Sequence, residues 1–217
     1  MSCQLCTNGP CRISDKGEAT LGVCGIDRNA MAMRDMLLRN VMGTATYTHH
    51  AYEAYRTLKA TAQGKTPFTI TDKDKLMSLA GRLQLDTSGR LEDVAIRLAD
   101  FLIGELYRDY DEPGRMIQVF APPPRQKVWQ DLAIYPAGVM HEIKDATASC
   151  LTNVDGDYFS LARKALRLGI ATIYGAQIGL EMVQEFFLER PAGIKRVACS
   201  YPFCAGSHNT SIISSPA

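Results

Sequence analysis

Apolar side chains recur every three or four positions along most of this chain, the spacing of one buried helix face. Ala30, Met33, Leu37, Val41, Ala45, Tyr52 and Tyr55 follow that spacing behind Asp27, which suits an N-cap. The pattern predicts one long helix from Asp27 to about Thr61, with Gly43 inside it as a packing contact or a break. Residues 64–68, with Gly64 and Pro67, read as a turn. Thr71 or Asp72 opens a second helix with Leu76, Leu79 and Leu83 on one face. Ser88 leads a third, carrying Leu91, Val94, Leu98, Phe101 and Leu102. Pro113 and Gly114 end the next link, and residues 116–120 are a short apolar run of ambiguous type. Pro122, Pro123 and Pro124 start a short helix through Trp129. Two more helices are expected, over residues 139–150 and from Tyr158 to about Leu188, the latter with a break at Gly169.

Alternation of period two is scarce throughout. The fold class is therefore mainly α: a multihelical domain at residues 27–190 behind a Cys/Gly-rich loop at residues 1–26. Residues 191–217 change character. Ser200 onward is rich in Ser, Thr, Pro and Asn with no periodic apolar face, and reads as a divergent, disordered tail. The 217 residues are enough for one large domain or two small ones, and 46% hydrophobic residues support a real core. Twenty-four basic and 23 acidic residues leave a net charge of +1, which gives no electrostatic case for nucleic acid or an acidic membrane surface. Met1-Ser2-Cys3-Gln4 lacks the basic and apolar regions of a signal peptide. The most apolar stretch, residues 168–183, is interrupted by Gln177 and Glu181 and falls short of the ~20 residues a membrane span needs. The expectation is a soluble, cytoplasmic protein.

Cysteine distribution changes the picture most. Cys3, Cys6, Cys11 and Cys24 crowd the start with spacing C-x2-C-x4-C-x12-C, and only Cys150 falls between Cys24 and Cys199. A disulfide scaffold would spread its cysteines through a shorter chain. Thiolates are the soft donors preferred by zinc and by iron–sulfur clusters, and both readings stay open on spacing alone. Zinc sites usually use two C-x2-C pairs. Here Cys11 and Cys24 stand singly beside Pro10 and Gly25, an uneven arrangement that suits a cluster wrapped from several sides. Gly9, Gly22 and Gly25 would let the backbone approach and aim N–H groups at the sulfurs, and Arg12 would offset negative charge.

Other signals weigh less. Gly64-Lys65-Thr66 lacks the upstream glycine and strand of a phosphate loop. The acidic stretch Asn153-Val154-Asp155-Gly156-Asp157 has its glycine misplaced for a calcium loop and more simply caps a helix near Tyr158. His49 and His50 read as solvated or core-satisfied, and His141-Glu142 lacks the second histidine of a zinc protease helix. Cys150 reads as a buried thiol at a helix end, and Trp129 and the tyrosines at helical spacing as core. Cys199, Cys204 and His208 form a weak three-ligand metal pattern in the tail.

The N-terminal run Cys3-x2-Cys6-x2-Gly9-Pro10-Cys11-Arg12-Ile13, followed by Leu21-Gly22-Val23-Cys24-Gly25, resembles the nickel-dependent, anaerobic carbon monoxide dehydrogenases. Met36-Leu37-Leu38-Arg39-Asn40, Thr48-His49-His50-Ala51, Phe120-Ala121-Pro122 and Ala148-Ser149-Cys150-Leu151-Thr152-Asn153 extend the likeness to about residue 188. The resemblance implies an oxidoreductase that converts carbon monoxide and water to carbon dioxide, two protons and two electrons on a nickel–iron–sulfur cluster. It implies a homodimer, a ferredoxin-like acceptor and a helical N-terminal part. It also implies that Cys3, Cys6, Cys11 and Cys24 hold a [4Fe-4S] electron-transfer relay.

Three departures qualify it. The further cysteine pair that many members carry before this motif has no counterpart, and the nickel ligands belong to downstream parts of the family chains. Past Glu189 the likeness fades, and Gly206-Ser207-His208 only superficially approaches the family's Gly-His motif. The expectation is a truncated, frame-shifted or split product that lacks the nickel cluster, with a separately encoded remainder and no carbon monoxide oxidation of its own. Hybrid-cluster proteins (hydroxylamine reductases) begin similarly but place their third cysteine later. A non-catalytic zinc-stabilised helical module is the remaining alternative.

Overall fold

Asp27 opens the longest element of the computed structural model, which describes residues 2–14, 16–108, 112–151 and 154–187. Its carboxylate accepts the Ala30 N–H at 2.8 Å and starts helix α1, Arg28–Ala62. At 1.5 Å per residue, these 35 residues span roughly 52 Å. The buried stripe is Ala30, Arg34, Leu37, Val41, Thr44, Thr48, Ala51, Tyr55 and Leu58, flanked by Met31. It departs from the apolar pattern in its middle, where Ala45 faces solvent and two threonines face inward. Their hydroxyls are satisfied locally: Thr48 donates to the Thr44 carbonyl at 2.7 Å, and Thr44 pairs with the Thr172 hydroxyl at 2.7 Å. Gly43 neither breaks the helix nor makes a contact, since a Cβ there would meet nothing within 4 Å. Gly43→Ala is therefore expected to raise stability by about 1 kcal/mol, measured by urea unfolding.

Helix α2, Lys73–Arg82, starts at Asp72, whose side chain accepts from the Lys75 N–H at 2.9 Å. Helix α3, Leu91–Leu106, begins after Arg90 rather than at Ser88. The Ser88 carbonyl instead accepts from the Arg97 side chain, which keeps this segment in a turn. The ambiguous run resolves as helix α4, Arg115–Phe120, followed by α5, Pro123–Asp131, and α6, Val139–Ser149. Asp157 accepts from the N–H groups of Phe159 and Ser160 and opens α7, Tyr158–Ala171. No break occurs at Gly169. The helix widens into a π-helical segment, Thr172–Gln177, and continues as α8, Ile178–Glu185. The N-terminal loop contains a minimal antiparallel pair, β1 Ser2–Cys3 and β2 Cys11–Arg12, with Cys3 opposite Cys11.

Three apolar clusters hold these elements together. The largest gathers Tyr55, Leu58, Leu76, Leu98, Leu102, Met116, Val183 and Phe186. A second gathers Ile13, Ile26, Met31, Leu37, Val41, Cys150, Leu161 and Leu168 beneath the N-terminal loop. The third is small: Ile117, Ala121 and Tyr174, with Trp129 packed edge-on to the Tyr174 ring. The aromatic residues divide. Tyr55 is fully buried, Trp129 is half-buried, and Tyr47, Tyr107 and Tyr158 are exposed. Buried acids are paired: Glu142 accepts from Arg167 at 2.6 Å and from the Ala137 N–H at 2.7 Å. Among the described residues no helix is long and apolar enough to cross a membrane. The expected tail, with Cys199, Cys204 and His208, lies outside the described residues, as does the helix end at Leu188.

Candidate metal centre

Two short turns assemble the cysteines. Cys3 and Cys11 face each other across the β1–β2 pair, so their side chains leave the same side of the ribbon. The intervening residues fold back through Cys6, whose carbonyl accepts the Gly9 N–H at 3.3 Å. Gly9 stands where three cysteine backbones meet. A Cβ on it would lie 3.2 Å from the Cys11 nitrogen, 3.3 Å from the Cys3 oxygen and 3.5 Å from the Cys6 oxygen. The second turn is closed by Gly22 N–H to the Ile26 carbonyl at 2.8 Å and Gly25 N–H to the Gly22 carbonyl at 2.9 Å. It rests directly on Cys11. The Val23 N–H donates to Cys11 Sγ at 3.4 Å, and a Cβ at Gly22 would sit 3.6 Å from that sulfur and 2.9 Å from Ile26. Cys24 follows in the same turn. All four cysteines are half-buried, and Cys3, Cys11 and Cys24 pack against the second core.

Gly22 and Gly25 let the backbone approach the sulfurs as the sequence suggested, with the donated amides coming from the residues that follow them. Their own N–H groups go to carbonyls, and the amides that reach sulfurs belong to Val23, on Cys11, and to Ile26, on Cys24. What glycine supplies is room, because a side chain at position 22 would fill the cradle beside Cys11. The cationic partner differs from the sequence expectation. Arg12 is exposed, whereas Arg34, on the second turn of α1, is 3% exposed and donates from Nη1 to Cys24 Sγ at 3.7 Å. Burial works to raise the Cys24 thiol pKa. The Ile26 N–H and Arg34 outweigh it, and the thiol is held below its ordinary value. Sequence reading missed Arg34. The signal was present: position 34 falls in the apolar stripe of Ala30, Leu37 and Val41, where a charged residue is out of place.

Among the described residues, no three Cys, His, Asp or Glu side chains converge closely enough to hold a single metal ion. Four sulfurs around one zinc, each at ~2.3 Å, would stand about 3.8 Å from one another. A four-iron cluster takes one thiolate per iron and asks for a wider set of donors. Cys150 is not part of the group. It lies buried at the end of α6, where burial raises its thiol pKa and its Sγ–H donates to the Arg34 carbonyl at 3.7 Å. His49 and His50 are exposed on α1, and Lys65 lies in a surface turn preceded by helix.

The sequence matches the prismane/CO dehydrogenase family over residues 1–200, past the point at Glu189 where the motif likeness ends. The chain belongs to that family. Its family relatives include carbon monoxide dehydrogenase 2 of Methanosarcina acetivorans, 49% identical over 189 residues, which cover 87% of this chain and 30% of that one. Carbon monoxide dehydrogenase of Archaeoglobus fulgidus is 44% identical over 191 residues, covering 88% of this chain and 30% of the other. Among solved structures, the nickel-free carbon monoxide dehydrogenase from Thermococcus sp. AM4 superposes with a TM-score of 0.80 at 30% identity, covering 85% of this chain and 30% of that one. The chain thus spans about 30% of the length of these CO dehydrogenase relatives.

Proposed function

We propose that this chain forms an iron–sulfur relay domain of a carbon monoxide dehydrogenase, with Cys3, Cys6, Cys11 and Cys24 holding a [4Fe-4S] cluster. One observation carries the reading: two turns bring Cys3, Cys6, Cys11 and Cys24 to one pole of a helical domain, with Gly9 touching three of their backbones and the second turn seated on Cys11. When bound, such a cluster takes up and releases one electron at a time. The protein's part is to hold and tune it. The thiolates supply the donors, the Val23 N–H withdraws charge from the Cys11 sulfur, and the second apolar core keeps water from one side. In this proposal the described residues do no bond chemistry. They pass electrons released by carbon monoxide oxidation toward a ferredoxin-like acceptor, in a homodimer like that of the family.

Anaerobic purification of the chain tests the assignment. The expected product is brown, with broad visible absorption and about four irons and four sulfides per chain. A colourless protein with about one zinc per chain would replace the relay with a zinc-stabilised module. A metal-free chain would remove both.

A further inference from the structure

We propose that Arg34 is the fixed counter-charge of the metal centre and sets its reduction potential through the Cys24 corner; the inference rests on the cluster reading above. A guanidinium is always charged, and a buried charge requires compensation. Three other well-covered cations of this chain have carboxylates, Arg167 with Glu142, Lys164 with Asp145 and Arg108 with Glu105, while the half-buried Arg97 and Arg115 donate to backbone carbonyls. Arg34 is more deeply buried than any of these, yet among the described residues no carboxylate forms an ion pair with it. Nη1 donates to Cys24 Sγ, Nη2 donates to the Asp155 carbonyl, and Nε has no partner at all. The Asp155 carboxylate is turned to other work, accepting from the Ser160 hydroxyl and the Asp157 N–H. Among the described residues, the side chain to which Arg34 donates is therefore the Cys24 sulfur.

The side chain is held rather than free to swing. Nη1 is fixed on the Cys24 sulfur, and Nη2 on the Asp155 carbonyl in the loop before α7. A positive charge so pinned favours whichever state of its neighbour is more negative, with no reorganisation when that state forms. Reduction of a cluster adds one electron, supplied in the test by a chemical reductant, and needs no proton from the protein. Arg34 therefore stabilises the reduced form and raises the potential.

The test compares the anaerobically prepared full chain with Arg34→Met, Arg34→Gln and Arg34→Lys by redox titration, read by visible absorption and electron paramagnetic resonance. Far-ultraviolet circular dichroism checks the fold. The neutral variants are expected to shift the equilibrium at least tenfold toward the oxidised form, a lowering of about 59 mV for a one-electron couple. Lysine is expected to recover more than half of that shift. Redox equilibria within twofold of wild type in the neutral variants, a shift under about 18 mV, overturn the proposal, as does a lysine variant shifted as far as methionine. If neither neutral variant assembles the centre while lysine does so at the wild-type potential, charge compensation is confirmed. If all three fail to assemble it, the role of Arg34 is structural and the proposal falls. A wild-type chain without iron overturns the relay reading together with this one; a loaded wild type with unshifted variants overturns this one alone.

Discussion

Cys11→Ala is expected to yield a colourless chain with at least a tenfold loss of bound iron. Cys11 is where the two turns meet. It sits on β2 opposite Cys3, its sulfur receives the Val23 N–H, and Gly22 lies against it. Removing that sulfur deletes one donor and also unseats the segment that carries Cys24. The loss should therefore exceed that of a peripheral ligand, because cluster thiolates act as a set. Iron and sulfide analysis with visible absorption checks it. Cys150→Ala is the control: its thiol is buried in the same core but bonded to a backbone carbonyl, so its loss should leave the colour intact. If the Cys150 variant bleaches as the Cys11 variant does, the choice of ligands is wrong.

Tyr55→Ala should destabilise the helical body by about 3–5 kcal/mol, the range for deleting a large buried ring. Tyr55 is fully enclosed in the largest core, and burial raises its phenol pKa well above the ordinary value. Its hydroxyl reaches the Ala176 carbonyl in the π-helical segment at 3.5 Å, a long contact. Tyr55→Phe should therefore cost about 1 kcal/mol or less. Thermal unfolding would show a fall on the order of 10 °C for alanine and little for phenylalanine. Equal losses in the two variants would mean that the hydroxyl, not the ring, anchors α1 against the π-helical segment.

Much of this fold was legible because local rules and tertiary packing agree. Asp27, Asp72 and Asp157 each cap the helix that the apolar spacing predicted behind them. The misses have physical reasons. Ser88 offered a capping side chain, but Arg97 claims its carbonyl from the following helix, and a cap preference is weaker than such a tether. Two-residue strands carry no periodicity, so the pairing of Cys3 with Cys11 was invisible even though both residues were singled out. The π-helical widening after Ala171 follows from packing, which no local preference encodes. For the proposed metal centre, the four cysteines were legible as a group and the arginine beside Cys24 was not. Arg34 earns its role through contacts with Cys24 and with Asp155, the latter 121 positions away. Arg12 merely stood beside a cysteine in the chain.

Helix α1 begins at the cysteine pole, lining one core with Met31 and Leu37, and ends in another with Tyr55 and Leu58. One uninterrupted rod therefore fixes the rotational phase between the two. A single residue inserted anywhere between Leu37 and Ala51 would turn one end by about 100° relative to the other and advance it by about 1.5 Å. Either the stripe at the cysteine pole or the stripe at the far pole would then point into water. The reading frame of this helix works as a ruler: its sequence can drift on the outer side, but its length cannot.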